Sequence, residues 1–130
     1  MARILIVDDS KMMRRNLSKI LMDAGHEVVA QAEDGSQACS AFAEHQPDLV
    51  TMDINMPIMD GIQAVKRIIV DFPDAEIVMI SAHNEQSQVY EAIKFGAKNY
   101  IVKPIKAQTV VSVVNKILAK ESASVHNGSE

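Results

Sequence analysis

The sequence predicts an α/β fold, a doubly wound parallel sheet in one domain, and two observations carry that expectation. Five short apolar runs alternate with five segments of helical period along the 130 residues. Several runs are apolar at consecutive rather than alternate positions, as expected of strands covered on both faces.

The runs are Ile4 to Val7, Val28 to Ala32, Leu49 to Met52, Ile77 to Ile80 and Tyr100 to Val102. After the first, Met13, Leu17, Ile20, Leu21 and Ala24 fall on one face of a helix that Gly25 ends. Ala38, Ala41 and Phe42 mark a weaker second helix. Ile62, Val65, Ile69 and Phe72 form the third stripe, with Pro73 just beyond it. Val89 and Ile93 mark a fourth before Gly96, and Val110, Val114 and Ile117 a fifth. Short connections and right-handed crossovers then distribute the helices over both faces of the sheet. The domain is expected over residues 1–120, with 121–130, rich in Ser, Asn, Gly and Glu, as a flexible tail.

Composition narrows the function classes. At 48% hydrophobic and 23% charged residues the chain matches an average globular protein. No stretch approaches the roughly 20 apolar residues of a membrane span, and the first apolar run is too short for a signal-peptide core. Thirteen basic against seventeen acidic residues argue against direct nucleic-acid binding. The single cysteine, Cys39, excludes an internal disulfide and suits a reducing compartment, so a cytoplasmic location is expected.

The chemistry lies at the strand ends. Val7 is followed by Asp8 and Asp9, Met52 by Asp53, Ile80 by Ser81, and Val102 by Lys103 and Pro104. Four of five runs thus bring a reactive or ligating group to the edge where open parallel sheets bind ligands. Three converging carboxylates repel one another unless some stay protonated or a cation neutralises them. An all-oxygen set favours a hard divalent ion, and Mg2+ binds through one or two carboxylates while keeping waters and a substrate phosphate. Asp9 and Asp53 are expected as direct ligands, Asp8 as a water-mediated one, and Asn55 as a ligand through its backbone carbonyl. Asp53 is the expected nucleophile toward phosphorus, Lys103 the cation for the phosphoryl oxygens, and Ser81 a hydroxyl donor to them.

These residues carry a resemblance. Asp8-Asp9 after ILIV, Asp53 in TMDINMPIMDG, Ser81-Ala82 after IVMI, and Lys103-Pro104 after YIV resemble the bacterial response-regulator receiver domain over about residues 2 to 119. The resemblance implies a flavodoxin-like (βα)5 fold with strand order 2-1-3-4-5. It implies that Asp53 takes a phosphoryl group from a histidine kinase or small phosphodonor with Mg2+ present. On the same resemblance, Ser81 would then move toward that group, and Tyr100 on the fifth strand would rotate inward. The face of the fourth helix, fifth strand and fifth helix would carry the output. Asn55 and His83, two residues beyond Asp53 and Ser81, would flank the path of hydrolytic water.

The run Met12-Met13-Arg14-Arg15 is similar to the first helix of stand-alone, chemotaxis-type receivers, although the basic residues alone read as a solvated face. Because no DNA-binding or enzymatic pattern follows the fifth helix, output is expected through a protein target such as a flagellar motor switch. The alternative is a phosphorelay intermediate, or a receiver controlling another kinase or an enzyme in trans. The chain would be a monomer or weak dimer, and no enzyme beyond catalysing its own phosphorylation and dephosphorylation.

Two rivals fit less well. A phosphohydrolase of the haloacid dehalogenase type needs a second acid two residues after its nucleophile, where this chain has Asn55, and amides do no acid–base work. A nucleotide or flavin binder needs a glycine-rich phosphate loop after the first strand, and the glycines at 25, 35, 61, 96 and 128 form none.

Overall fold

A computed structural model describes residues 1–128, with side chains through residue 120. The order is β1 (Arg3–Val7), α1 (Lys11–Asp23), β2 (Glu27–Ala32), α2 (Gly35–His45), β3 (Leu49–Asp53), α3 (Gly61–Asp71), β4 (Ile77–Ser81), a 3-10 turn (His83–Glu85), α4 (Gln86–Lys94), β5 (Asn99–Val102) and α5 (Ala107–Gly128). The strands form one parallel sheet in the order β2-β1-β3-β4-β5. This is the flavodoxin-like arrangement, with β1 and β3 at the reversal of strand order.

The consecutive apolar runs are explained by the two cores. Successive strand side chains point to opposite faces. Leu5, Val7, Val50, Met52, Ile77 and Met79 accordingly join Phe42, Val65, Ile68 and Val89 of α2, α3 and α4. Ile4, Ile6, Leu49, Val78 and Ile80 join Leu17, Leu21, Val110, Val114 and Ile117 of α1 and α5 on the other side. Each of these buried side chains contributes roughly 1.5–3 kcal/mol. The sheet is thereby fixed as the platform whose carboxyl edge carries the site. Among the described residues, no helix is long and apolar enough to cross a membrane.

Local signals set the helix ends. Ser10 caps α1, its hydroxyl accepting from the Met13 N–H, and Gly25 turns the chain out at φ 90°. Asp60 and Gln63 form a reciprocal capping box on α3.

Three expectations are corrected. Ile93 was placed on the buried stripe of α4, yet it is exposed while Ala92 is buried. This short helix approaches the sheet through Val89 and the small Ala92, and the next residue lies 100° round the helix. In α3 the buried position is Ile68, with Ile69 and Phe72 half-buried at the margin of the core. The backbone of α5 continues through Gly128, past residue 121 where a tail was expected. Loss of an apolar stripe removes a packing face but supplies no helix breaker, and Gly128 is the first such residue. Residues 129–130 of that expected tail lie outside the described residues.

Candidate functional site

β1 ends on Val7 and delivers Asp8, which is buried, and Asp9, which is exposed. The Asp8 N–H donates to the Ala32 carbonyl (3.1 Å), prolonging the β1–β2 pairing, while its Oδ1 accepts from the Ser10 N–H (2.8 Å). Arg14 then locks the turn, Nη1 donating to the Asp8 carbonyl at 2.7 Å and Nη2 lying 3.5 Å from Glu33. Arg14 is therefore buried, which corrects its reading as part of a solvated basic face. Its long apolar stem lies within the fold and its guanidinium satisfies a main-chain oxygen.

Asp53 is the last residue of β3 and is 5% exposed. Its Oδ1 accepts from the Ile54 N–H at 2.9 Å and from Lys103 Nζ at 3.3 Å. Both bonds use Oδ1, so Oδ2 is the oxygen with lone pairs to offer. Gly61, first residue of α3, donates its N–H to the Ile54 carbonyl at 2.7 Å, and a Cβ there would lie 2.0 Å from the Asp53 carbonyl oxygen. Only glycine permits α3 to start directly behind the acid.

Carboxylate oxygens of Asp8, Asp9 and Asp53 lie within 4.8 Å of one another. Burial, then the charge of Asp8, pushes the Asp53 carboxyl up to about 6, with Lys103 opposing the shift. Burial likewise raises Asp8. Lys103 Nζ is 4.0 Å from Asp8 Oδ2, near enough for Coulomb attraction and too far for a hydrogen bond. Asp8 Oδ2 is thus a buried oxygen with no hydrogen-bond partner. An unsatisfied buried carboxylate oxygen beside two other acids fits a hard cation, and these all-oxygen donors suit Mg2+.

The remaining expected residues lie on β4, on β5 and in the loops that follow β3 and β4. Ser81 ends β4, buried, its carbonyl accepting from the Lys103 N–H at 2.6 Å. It lines a cavity of about 350 Å3 together with Val89, Tyr90, Ile93, Tyr100 and Val102. Tyr100 is 52% exposed on β5. The Asn55 carbonyl accepts no hydrogen bond among the described residues. Its side chain is held instead, Nδ2 donating to Glu85 Oε2 and Oδ1 accepting from Gln88 Nε2 at 3.4 Å. His83 is exposed at the start of the 3-10 turn.

Sequence reasoning missed Arg14, Gly61 and Glu85. Gly61 had a signal, a glycine placed just before an apolar stripe. The others act on partners that no residue pattern discloses, a main-chain carbonyl for Arg14 and a loop 30 positions away for Glu85.

Residues 4–115 match the response regulator receiver domain family. A chemotaxis protein CheY of Bacillus subtilis is 53% identical over 89% of this chain and 97% of its own length. A second chemotaxis protein CheY, from Thermotoga maritima, is 48% identical over 88% of this chain and 96% of its own. A chain in the crystal structure of the CheX-CheY-BeF3-Mg2+ complex from Borrelia burgdorferi aligns with a TM-score of 0.85 at 35% identity, covering 89% of this chain and 88% of that one.

Proposed function

Since the chain belongs to the response regulator receiver domain family of two-component signalling, we propose that it is a phosphorylation switch in which Asp53 accepts a phosphoryl group from a histidine kinase. The observation that carries this reading is the convergence of Asp8, Asp9 and Asp53 within 4.8 Å, with Lys103 bonded to one of them.

Asp9 and Asp53 would hold Mg2+ directly, with Asp8 holding it through water and Asn55 through its carbonyl. When bound, the ion neutralises the acids and draws charge from the phosphoryl oxygens. Asp53 Oδ2 attacks phosphorus in line; the phosphorus–nitrogen bond of the donor breaks, its electron pair leaves on the imidazole, and an acyl phosphate forms. Lys103 supplies the positive charge facing the new oxygens, and Ser81 a hydroxyl. Water later cleaves the acyl phosphate and regenerates the carboxylate. The chain turns over no separate substrate in this reading.

The added charge of about −1.5 to −2 is then read by a bistable element. Supporting this, Ser81 and Tyr100 line the same cavity, so a shift at one changes the space open to the other. The α4, β5 and α5 face would convey the change to a protein target. Similarity to proteins named for chemotaxis favours a chemotactic target such as a flagellar motor switch, and a cytoplasmic site of action belongs to the same proposal. Control of another kinase or enzyme in trans, or a phosphorelay role, is the alternative.

Intact-mass measurement after exposure to acetyl phosphate tests the switch. Gain of one phosphoryl group with Mg2+ and none after Asp53→Asn is expected; equal gain in the variant contradicts it. Co-purification with and without Asp53→Ala separates the targets, loss of a motor component supporting the first.

A further inference from the structure

Glu85 is a buried carboxylate, 7% exposed, whose two oxygens are held by two different loops. Oε1 accepts from the N–H of Ala82, the residue after Ser81, at 2.6 Å. Oε2 accepts from Asn55 Nδ2, on the loop two residues beyond Asp53. Gln88 Nε2, from the first turn of α4, reaches Asn55 Oδ1 at 3.4 Å and closes the group.

A buried carboxylate is costly unless its oxygens are engaged. Among the described residues Glu85 makes no ion pair, so its compensation comes from these N–H donors. Capping of the 3-10 turn accounts for the bond to Ala82, since the Glu85 N–H also donates back to the Ala82 carbonyl at 3.1 Å. Capping does not account for the bond to Asn55. That second bond joins the β4–α4 connection to the β3–α3 connection, which carries Asn55 two residues beyond Asp53. An acceptor bonded at both ends ties the position of either loop to that of the other.

We propose that Glu85 is a positioning residue that ties the loop of Asn55 to the loop of Ser81, so that cation occupancy of the acidic site is felt at Ser81. The inference rests on the reading of that site as a Mg2+ centre. It assigns the coupling to a side chain that touches neither the ion nor the phosphoryl group.

Titration of the 15N-labelled full chain with Mg2+ alone tests it by amide chemical shift. Ile54 reports on the site and Ala82 on the Ser81 loop. In the parent both are expected to shift with one Mg2+ dependence. Glu85→Ala is expected to keep the Ile54 shift while losing at least half of the Ala82 shift. Asn55→Ala, which cuts the link from the other end and keeps the main-chain carbonyl, should give the same loss at Ala82. Glu85→Gln retains an acceptor for Ala82 and can donate to Asn55 Oδ1 once that amide turns, so it should restore the response. Unchanged α1 and α5 resonances identify folded variants.

A parent-like Ala82 response in Glu85→Ala or Asn55→Ala overturns the proposal, as does a Glu85→Gln protein as deficient as the alanine variant. A parent whose Ile54 fails to respond to Mg2+ overturns the metal reading itself, and this inference with it.

Discussion

Lys103 Nζ lies 3.3 Å from Asp53 Oδ1, bridging 50 positions of sequence to place one cation against the buried acid at the end of β3. The same nitrogen is 4.0 Å from Asp8 Oδ2, so one half-buried ammonium serves two carboxylates. It offsets part of their repulsion and leaves Asp53 raised to about 6.

Lys103→Ala should therefore separate chemistry from response. Removing one preorganised donor to the phosphoryl oxygens is expected to slow acetyl phosphate incorporation by on the order of 100-fold, with some incorporation retained. The chemical-shift change around Tyr100 on adding beryllium fluoride and Mg2+ should vanish. A parent-like response would remove Lys103 from its assigned role.

Asp53→Asn should stabilise the cation-free protein at neutral pH. A carboxyl raised from 3.8 to about 6 binds its proton more tightly folded than unfolded. Its contribution is fully present below pH 3.8 and is lost as pH rises through about 6, up to about 3 kcal/mol in all. Asparagine stays neutral and escapes that loss. Melting scans without divalent ions should show the variant higher by roughly 5 to 10 °C at pH 7.5, the gap closing toward pH 4. A gap independent of pH would assign the effect to something other than Asp53 ionisation.

Gly61→Ala should damage both fold and site. Its Cβ would approach the Asp53 carbonyl oxygen to 2.0 Å, and neither the end of β3 nor the start of α3 can yield as a flexible side chain would. A cost of at least about 3 kcal/mol in urea unfolding is expected, with slower Mg2+-dependent phosphorylation. A variant within 1 kcal/mol of the parent, as a roughly measured difference, would show that α3 can back away.

Thr51→Val should act oppositely. Thr51 is 1% exposed in the middle of β3, with Oγ1 lacking a hydrogen-bond partner. An isosteric methyl removes that unpaired hydroxyl, so stability should rise by about 1 kcal/mol with phosphorylation unchanged. Destabilisation would show that the hydroxyl is satisfied.

Much of this site was legible because a strand buried on both faces reads as a largely apolar run. The polar residue that closes the run then marks the sheet edge, which is how the sequence places Asp8, Asp53, Ser81 and Lys103 together. Burial created by the meeting of loops leaves no such trace. Glu85 looks like an ordinary charged residue until Asn55 arrives from β3, and Arg14 like a solvated one until the Asp8 carbonyl turns toward it. Helical period located α4 but misjudged Ile93, because a two-residue stripe cannot fix the rotation of a short helix. The end of α5 was misjudged for a related reason: the apolar pattern reports packing, whereas the backbone stays helical until a breaker intervenes.

The most direct measurement is chemical identification of the modified side chain. After acetyl phosphate treatment, borohydride reduces an acyl phosphate to the alcohol, converting a phosphorylated aspartate to homoserine that peptide mass spectrometry can locate. The account predicts homoserine at position 53 alone, and only in samples that contained Mg2+. Homoserine at position 8 or 9, or equal conversion of Asp53 without the ion, would contradict it.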